Sequence, residues 1–142
     1  MPFFSRKRSG ELSPDFEVTI ESLPVDSPFE VEDVAVTVRH FPFRIGRMAK
    51  PGTGHRLTSD SLMLDDPRPH NVSREHCVLE AVDGHLTVRD LNSTLGTELN
   101  AEILGDRTGS RAARLHLGEN ILVLGSSHTP YRLKVTVVRK EK

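Results

Sequence analysis

The chain has 142 residues and a formal net charge of −1 at pH 7, and 36% of its residues are hydrophobic. This length suffices for one domain with one hydrophobic core and excludes a second, catalytic domain. The near-neutral charge excludes bulk nucleic-acid binding, which requires a strong basic excess, and the single cysteine excludes an intrachain disulfide.

The sequence contains no apolar stretch of about 18 residues, the length that a membrane span requires. The basic residues near the N-terminus are not followed by the apolar run of a signal peptide. We therefore expect a cytoplasmic protein that does not interact with membranes.

The acidic side chains are concentrated near the N-terminus. Residues 1–34 carry eight acidic and three basic side chains, whereas residues 35–142 carry 12 acidic and 16 basic ones. Residues 1–32, which mix charge with Ser and Pro, are predicted to be a flexible acidic segment. Within it, the alternating residues 16–21 either add an edge strand to the following domain or stay flexible. The mildly basic remainder suits an anionic ligand.

Residues 33–139 are predicted to form the folded domain, with residues 140–142 as a short tail. From the start of this domain the apolar residues recur with a period of two, which is typical of β-strands with one buried face. One strand is predicted over residues 34–38, a second ends at Ile45, and residues 61–64 form a short third strand.

A hairpin is the clearest local prediction. Residues 77–81 and 85–90 are joined by a turn that contains Asp83-Gly84, and this dipeptide favours the positive φ angles of a tight turn. Two further strands are predicted over residues 121–124 and 131–137. Sustained helical spacing is absent, so the pattern predicts an all-β sandwich.

Three motifs lie where loops meet the predicted strands, and each supplies a group that a dianionic ligand needs. Gly46-Arg47 follows a strand end, and its guanidinium can hold two phosphate oxygens at once. Ser73-Arg74-Glu75-His76 supplies a hydroxyl beside a second cation, and residues 90–100 form a hydroxyl-rich turn that contains glycine. Because loops at one end of a rigid sandwich commonly carry recognition, we expect the three motifs to converge on one rim.

This ordered set resembles the pattern of the forkhead-associated (FHA) domain family, which runs Gly-Arg, Ser-x-x-His, then Asn-Gly-Thr and a later Asn. The resemblance covers residues 34–139. It implies a β-sandwich of two mainly antiparallel sheets with recognition loops at one end. It also implies a non-catalytic adaptor that binds phosphothreonine in partner proteins of Ser/Thr kinase signalling.

The resemblance assigns roles to individual residues. The residues implied to bind the phosphopeptide are Arg47, Ser73, Arg74 and Thr94. Those implied to support the site are Gly46, His76, Gly96, Thr97 and Asn100. Asn100 is expected to hold the recognition loop in place.

The sequence departs from the family pattern at Leu95, where the family usually has an Asn that bonds the peptide backbone. Leucine cannot make those hydrogen bonds, and each lost contact costs about 0.5–1.5 kcal/mol. Ala101 replaces the usual Gly, a smaller departure. The alternative function is therefore an FHA fold retained for phosphate-independent docking to other proteins.

Other chemistries are not expected. Ser73, His76 and Asp90 resemble a hydrolase triad on paper, but no Gly-x-Ser-x-Gly sequence surrounds Ser73. The seven histidines lack paired spacing with Cys or carboxylates, so no metal or cofactor is predicted. Cys77 alternates with Leu79 and is predicted to pack inward.

Overall fold

The computed structural model describes residues 16–26, 31–105 and 109–140. None of these residues forms a helix of membrane-spanning length and hydrophobicity. Their regular elements are β-strands: β1 (Phe16–Ser22), β2 (Ala35–Val38), β3 (Phe43–Arg47), β4 (Arg56–Thr58), β5 (Ser61–Leu64), β6 (Cys77–Val82), β7 (His85–Asp90), β8 (Thr97–Leu99), β9 (Glu102–Leu104), β10 (Ala112–Arg114), β11 (Gly118–Leu124) and β12 (Arg132–Arg139).

The strands form two six-stranded sheets. The first has the order β2-β1-β12-β11-β8-β9, and the second has the order β10-β7-β6-β3-β5-β4. Pairing is antiparallel except between β3 and β5, which run parallel. The predicted β-sandwich of two mainly antiparallel sheets is therefore confirmed.

Both sheets contribute alternating side chains to one hydrophobic core. Val18 and Ile20 of β1 are 0% exposed, as are Ile45 of β3 and Leu79 of β6. Burying one such side chain stabilises the fold by about 1.5–3 kcal/mol, so the core dominates the stability of the sandwich. Cys77 belongs to this core, as predicted, and burial raises the pKa of its thiol.

Strand β1 lies inside its sheet, and neither of the two expectations for residues 16–21 describes it. Its residues pair with β12 along one side, from Phe16↔Arg139 to Ser22↔Leu133, and with β2 along the other. Strand β2 is therefore the edge strand on this side of the sheet, and β9 is at the other edge. The predicted domain boundary at residue 33 separates β1 from the sheet that contains it. The rest of the predicted flexible segment lies partly outside the described residues, at 1–15 and 27–30.

The remaining strand predictions differ from the structure mainly at their ends. The hairpin of β6 and β7 is confirmed, with φ angles of 51° at Asp83 and 79° at Gly84. The strand over residues 61–64 is confirmed as β5. Strand β11 begins three residues earlier than predicted because its first half pairs with β12. The three-residue strands β4, β8, β9 and β10 were not predicted.

Several strand ends meet at one end of the sandwich. The N–H of Arg47 donates to the carbonyl of Arg74, the N–H of Leu91 to that of His76, and the N–H of Gly125 to that of Gly96. These bonds join the loops after β3, before β6, after β7, before β8 and after β11. The opposite end carries the β6–β7 turn, the start of β1 and the end of β12.

Candidate functional site

Arg47, the last residue of β3, is fixed by contacts with the loop before β6. Its Nε donates to the carbonyl oxygen of Val72 at 2.9 Å, and its main-chain N–H donates to the carbonyl of Arg74 at 3.3 Å. Among the described residues, no hydrogen bond or ion pair engages its two terminal guanidinium nitrogens. These nitrogens can therefore form a bidentate contact with a ligand.

The buried carboxylate of Asp66 holds the loop that carries Val72. Its Oδ2 accepts from the N–H groups of Asn71 at 2.7 Å and Val72 at 2.8 Å. Asp66 is 1% exposed, and its Oδ1 has no hydrogen-bond partner within the described part of the chain. By fixing Val72, this carboxylate sets the position of the carbonyl that Arg47 contacts.

His76 is fully buried and joins two loops through its ring nitrogens. The N–H of Ser73 donates to Nδ1 at 3.0 Å, and Nε2 lies 2.9 Å from the carbonyl oxygen of Gly96. Since Nδ1 accepts and a carbonyl can only accept, these partners require a neutral ring with its proton on Nε2. Burial lowers the pKa of His76, and the Gly96 carbonyl and the carboxylates of Asp90 and Asp66 offset this only in part. The hydrogen-bond partners and the lowered pKa therefore both favour the neutral ring.

Ser73 connects the loop before β6 to the turn between β7 and β8. Its hydroxyl oxygen accepts from the main-chain N–H of Thr94 at 2.9 Å. Ser73 and Arg47 are half-buried, whereas Thr94 and Arg74 are exposed. The structure thus brings Arg47, Ser73 and Thr94 together on one rim, with Arg74 beside them.

Asp90 organises the turn that presents Thr94. Its Oδ1 accepts from the hydroxyls of Ser93 and Thr97, both at 2.6 Å, and its Oδ2 accepts from the N–H of Ser93 at 3.1 Å. The hydroxyl of Ser93 accepts in turn from the N–H of Gly96 at 3.0 Å. Burial alone would raise the pKa of Asp90, but the bonds from Ser93 and Thr97 outweigh it and the pKa is lowered. The ionised carboxylate therefore fixes the turn at neutral pH.

Two glycines allow the main chain of these loops to come close. A Cβ at residue 46 would overlap the carbonyl oxygen of Arg74. A Cβ at residue 125 would lie 2.6 Å from the carbonyl oxygen of Asn71, and Gly125 has a φ of 104°. The predicted structural role of Gly46 thus has a physical cause, and Gly125 has a similar one.

Asn100 supports a different turn from the one expected. It lies in the β8–β9 turn with a φ of 51°, and Ala101 follows with a φ of 72°. Its Oδ1 accepts from the N–H of Ile121 and its Nδ2 donates to Oδ1 of Asn120, each at 2.9 Å. These bonds tie the turn to β11. The bonds of Asn100 lie at the opposite end of β8 from Thr94, because the three residues of β8 separate the turn that carries Thr94 from the β8–β9 turn.

The geometry does not assemble a hydrolase triad. The His76 ring contacts the main chain of Ser73 rather than its hydroxyl, and the Asp90 carboxylate accepts from Ser93 and Thr97. In residues 16–26, 31–105 and 109–140, no group of three or more His, Cys, Asp or Glu residues is placed to hold a metal ion.

Sequence reasoning missed Asp66 and Gly125 and gave Asp90 no supporting role. Asp66 precedes Pro67, and an Asp at a turn commonly accepts bonds from main-chain N–H groups just downstream. That local signal could have identified Asp66. Gly125 carries no comparable signal, because its constraint comes from Asn71, which is distant in sequence.

A comparison with protein families gives a match to the family described as "FHA domain" over residues 43–124, more than half of the chain. The matched range contains every predicted site residue. A comparison with curated protein sequences finds no significant match.

Solved structures similar to this chain include FHA domains. The FHA domain of an Arabidopsis thaliana hypothetical protein is 20% identical, with a TM-score of 0.51 over 98% of this chain and 97% of that one. FHA-1 of Mycobacterium tuberculosis Rv1747 is 18% identical, with a TM-score of 0.55 over 88% of this chain and 99% of that one. An engineered FHA domain solved with a Myc-pTBD peptide is 17% identical, with a TM-score of 0.50 over 89% of this chain and 92% of that one. At these identities the likeness shows the fold.

Proposed function

Because this chain belongs to the FHA domain family, whose members are generally phosphopeptide-binding modules, we propose that it binds phosphothreonine in partner proteins of Ser/Thr kinase signalling. The observation that carries the proposal is the junction at Ser73, which links the loop positioning Arg47 to the turn presenting Thr94.

The groups at this junction suit a phosphate, which carries about −1.5 to −2 charges at neutral pH. The terminal nitrogens of Arg47 can hold two phosphate oxygens. The Ser73 oxygen already accepts from Thr94, so its own proton is available to donate to the ligand. Thr94 and Arg74 are exposed, so we propose the Thr94 hydroxyl and the Arg74 guanidinium as further donors to the same anion.

The finer assignment to phosphothreonine follows from the family resemblance, which implies that the site senses the threonine methyl group. Residues 68–71 border the loop that presents Ser73 and are proposed to contact peptide residues beside the phosphate. The chain itself is proposed to be non-catalytic. The buried His76 ring has both nitrogens bonded to main-chain groups, so it has no free nitrogen to act as a base.

Phosphate dependence tests the proposal directly. Fluorescent peptides with randomised residues around a central phosphothreonine would be titrated with the wild-type protein and compared with phosphoserine and unphosphorylated peptides. The proposal predicts saturable binding of the phosphothreonine peptides and weaker binding of the phosphoserine peptides. Equal binding of all three peptide sets would contradict it.

A second candidate function is favoured by the exposure of Leu95. This side chain is 47% exposed at the tip of the turn that carries Thr94, where the family usually places a peptide-binding Asn. An exposed apolar group there suits phosphate-independent docking of another protein. In that case the unphosphorylated peptides would bind as well as the phosphorylated ones.

A further inference from the structure

A groove of about 370 Å³ opens at the end of the sandwich opposite the candidate phosphate site. It lies beside the β6–β7 turn, where β1 begins and β12 ends. Its lining residues are Phe16, Gly84, His85, Leu86, Arg114, Leu115, His116, Leu117, Val137 and Arg139.

The floor of the groove is the end of the hydrophobic core. Leu86, Leu115 and Val137 are at most 6% exposed and belong to the core cluster. Leu117 is 56% exposed, and Phe16 is half-buried and packs against the same cluster. The groove therefore offers apolar contact area that is continuous with the interior of the protein.

Hydrogen bonds fix one wall of the groove. Asn120 is 0% exposed, and its Oδ1 accepts from the N–H of His116 at 2.9 Å. Its Nδ2 donates to the carbonyls of His116 at 2.9 Å and Gly118 at 3.3 Å, and the N–H of Leu115 donates to the carbonyl of Leu86 at 2.9 Å. A wall fixed in this way reduces the conformational entropy that the protein loses when a ligand binds.

The rim of the groove is basic. Arg114 and Arg139 are exposed, His85 and His116 lie beside them, and none of the ten lining residues is acidic. The guanidinium of Arg139 lies 5.2 Å from the centroid of the Phe16 ring, which places a cation directly at the apolar surface. An occupant with complementary charge is therefore acidic.

We propose that this groove binds an acidic linear segment of a partner protein that inserts an aromatic or aliphatic side chain. Its volume is near the lower limit of small-ligand pockets, about 300 Å³, which suits one or two anchoring side chains. Acidic residues on either side of the anchor pair with Arg114 and Arg139. The groove shares no residue with the candidate phosphate site, so it can be occupied independently of that site.

The test is a titration of the 142-residue chain followed by ¹H–¹⁵N NMR. The probe is a pool of unphosphorylated 12-residue peptides with Phe or Leu at the two central positions and Asp or Glu elsewhere. A second pool carries Lys or Arg in place of the acids, and a third carries Ala in place of the central residues. The proposal predicts that only the first pool shifts the resonances of His85, His116 and Leu117.

Matched variants locate the binding. Leu117→Ser and Arg114→Glu should each weaken binding of the acidic pool about fivefold or more, since each removes or reverses a contact at the rim. Val138→Ser and Arg44→Glu also change exposed side chains, but neither residue lines the groove, so both should bind like the wild type. Arg47→Ala should also retain groove binding, which separates this proposal from the phosphate-binding one.

Salt gives an independent readout. Raising the salt concentration from about 0.1 M to about 1 M shortens the screening length from about 10 Å to about 3 Å and should weaken binding of the acidic pool. Equal binding of the acidic and basic pools, or unchanged binding by Leu117→Ser and Arg114→Glu, would overturn the proposal. If the groove resonances shift when the protein is diluted without peptide, and do not respond to peptide, the proposal is overturned. The occupant of the groove would then be a second copy of this chain.

Discussion

At the scale of single residues, the candidate site depends on buried side chains that accept hydrogen bonds from loop main chain. Asp66, His76 and Asp90 are each at most 3% exposed and each accepts from at least one main-chain N–H group. Removing such an acceptor leaves a buried donor unpaired, which costs about 1–3 kcal/mol. These three residues set the loop conformations, and the exposed residues on the rim are free to contact a ligand.

His76 makes the stability of the protein depend on pH. Its pKa is lowered by burial from the ordinary value of 6.5, so the unfolded chain takes up the proton first as the pH falls. The stabilisation that the neutral His76 ring provides is complete above about pH 6.5. It is lost as the pH falls through the pKa of His76 in the folded protein. In urea unfolding between about pH 8 and about pH 5, the stability advantage of wild type over His76→Gln should shrink as the pH decreases. A constant advantage would contradict the neutral ring.

Leu95 distinguishes the two candidate functions. Leu95→Asn restores the amide that the family usually has at this position, and it should tighten phosphothreonine-peptide binding about threefold to tenfold through one new hydrogen bond. Peptide titrations with the variant and the wild type measure this ratio. An unchanged or weaker affinity would show that the Thr94 turn does not contact the peptide backbone.

At the scale of elements, the sequence predicted what local periodicity and turn chemistry determine. Strand β5 and the β6–β7 hairpin follow from alternation and from Asp83-Gly84. The three-residue strands could not be predicted, because so short a segment carries no period and pairing partners distant in sequence define it. The same reason applies to the site. The sequence located its motifs, but it did not predict the hydrogen bonds between Asn100 and β11, because these residues are distant in sequence.

Gly46 tests the close contact between β3 and the loop before β6. Gly46→Ala places a Cβ where the Arg74 carbonyl lies, so we expect it to destabilise the protein by about 2 kcal/mol or more and to weaken phosphopeptide binding. The control is Gly84→Ala, where the added Cβ has open space but the φ of 79° is unfavourable for alanine and should cost about 1–2 kcal/mol. Urea unfolding of both variants measures the difference, and equal losses would show that the close contact is unimportant.

At the scale of the whole molecule, the candidate site is assembled from both sheets. His76 precedes β6 of the second sheet, and its partner Gly96 precedes β8 of the first. The loops therefore depend on the packing of the two sheets, and a ligand that bridges them should stabilise the entire sandwich by mass action. The position of β1 could not be predicted from its own residues, because β2 and β12 determine whether it is central or at an edge.

The internal position of β1 predicts that its core residues are essential for folding. Ile20 is 0% exposed, so Ile20→Ala should lower the free energy of unfolding by about 2–5 kcal/mol. Glu17→Ala, which changes an exposed residue of the same strand, should lower it by less than about 0.5 kcal/mol. Thermal or urea unfolding measures both, and a negligible effect of Ile20→Ala would mean that β1 is dispensable.

The most direct test of the central claim is the affinity of the best phosphothreonine peptide for wild type, Arg47→Ala and Arg44→Ala, measured by isothermal titration calorimetry. Arg44 is an exposed arginine on the same strand, outside the candidate site. Loss of charged hydrogen bonds worth about 1.5–3 kcal/mol predicts that Arg47→Ala binds about 10-fold to 100-fold more weakly, while Arg44→Ala binds like the wild type. Equal affinity of Arg47→Ala and wild type would contradict the assignment of phosphate binding to this rim.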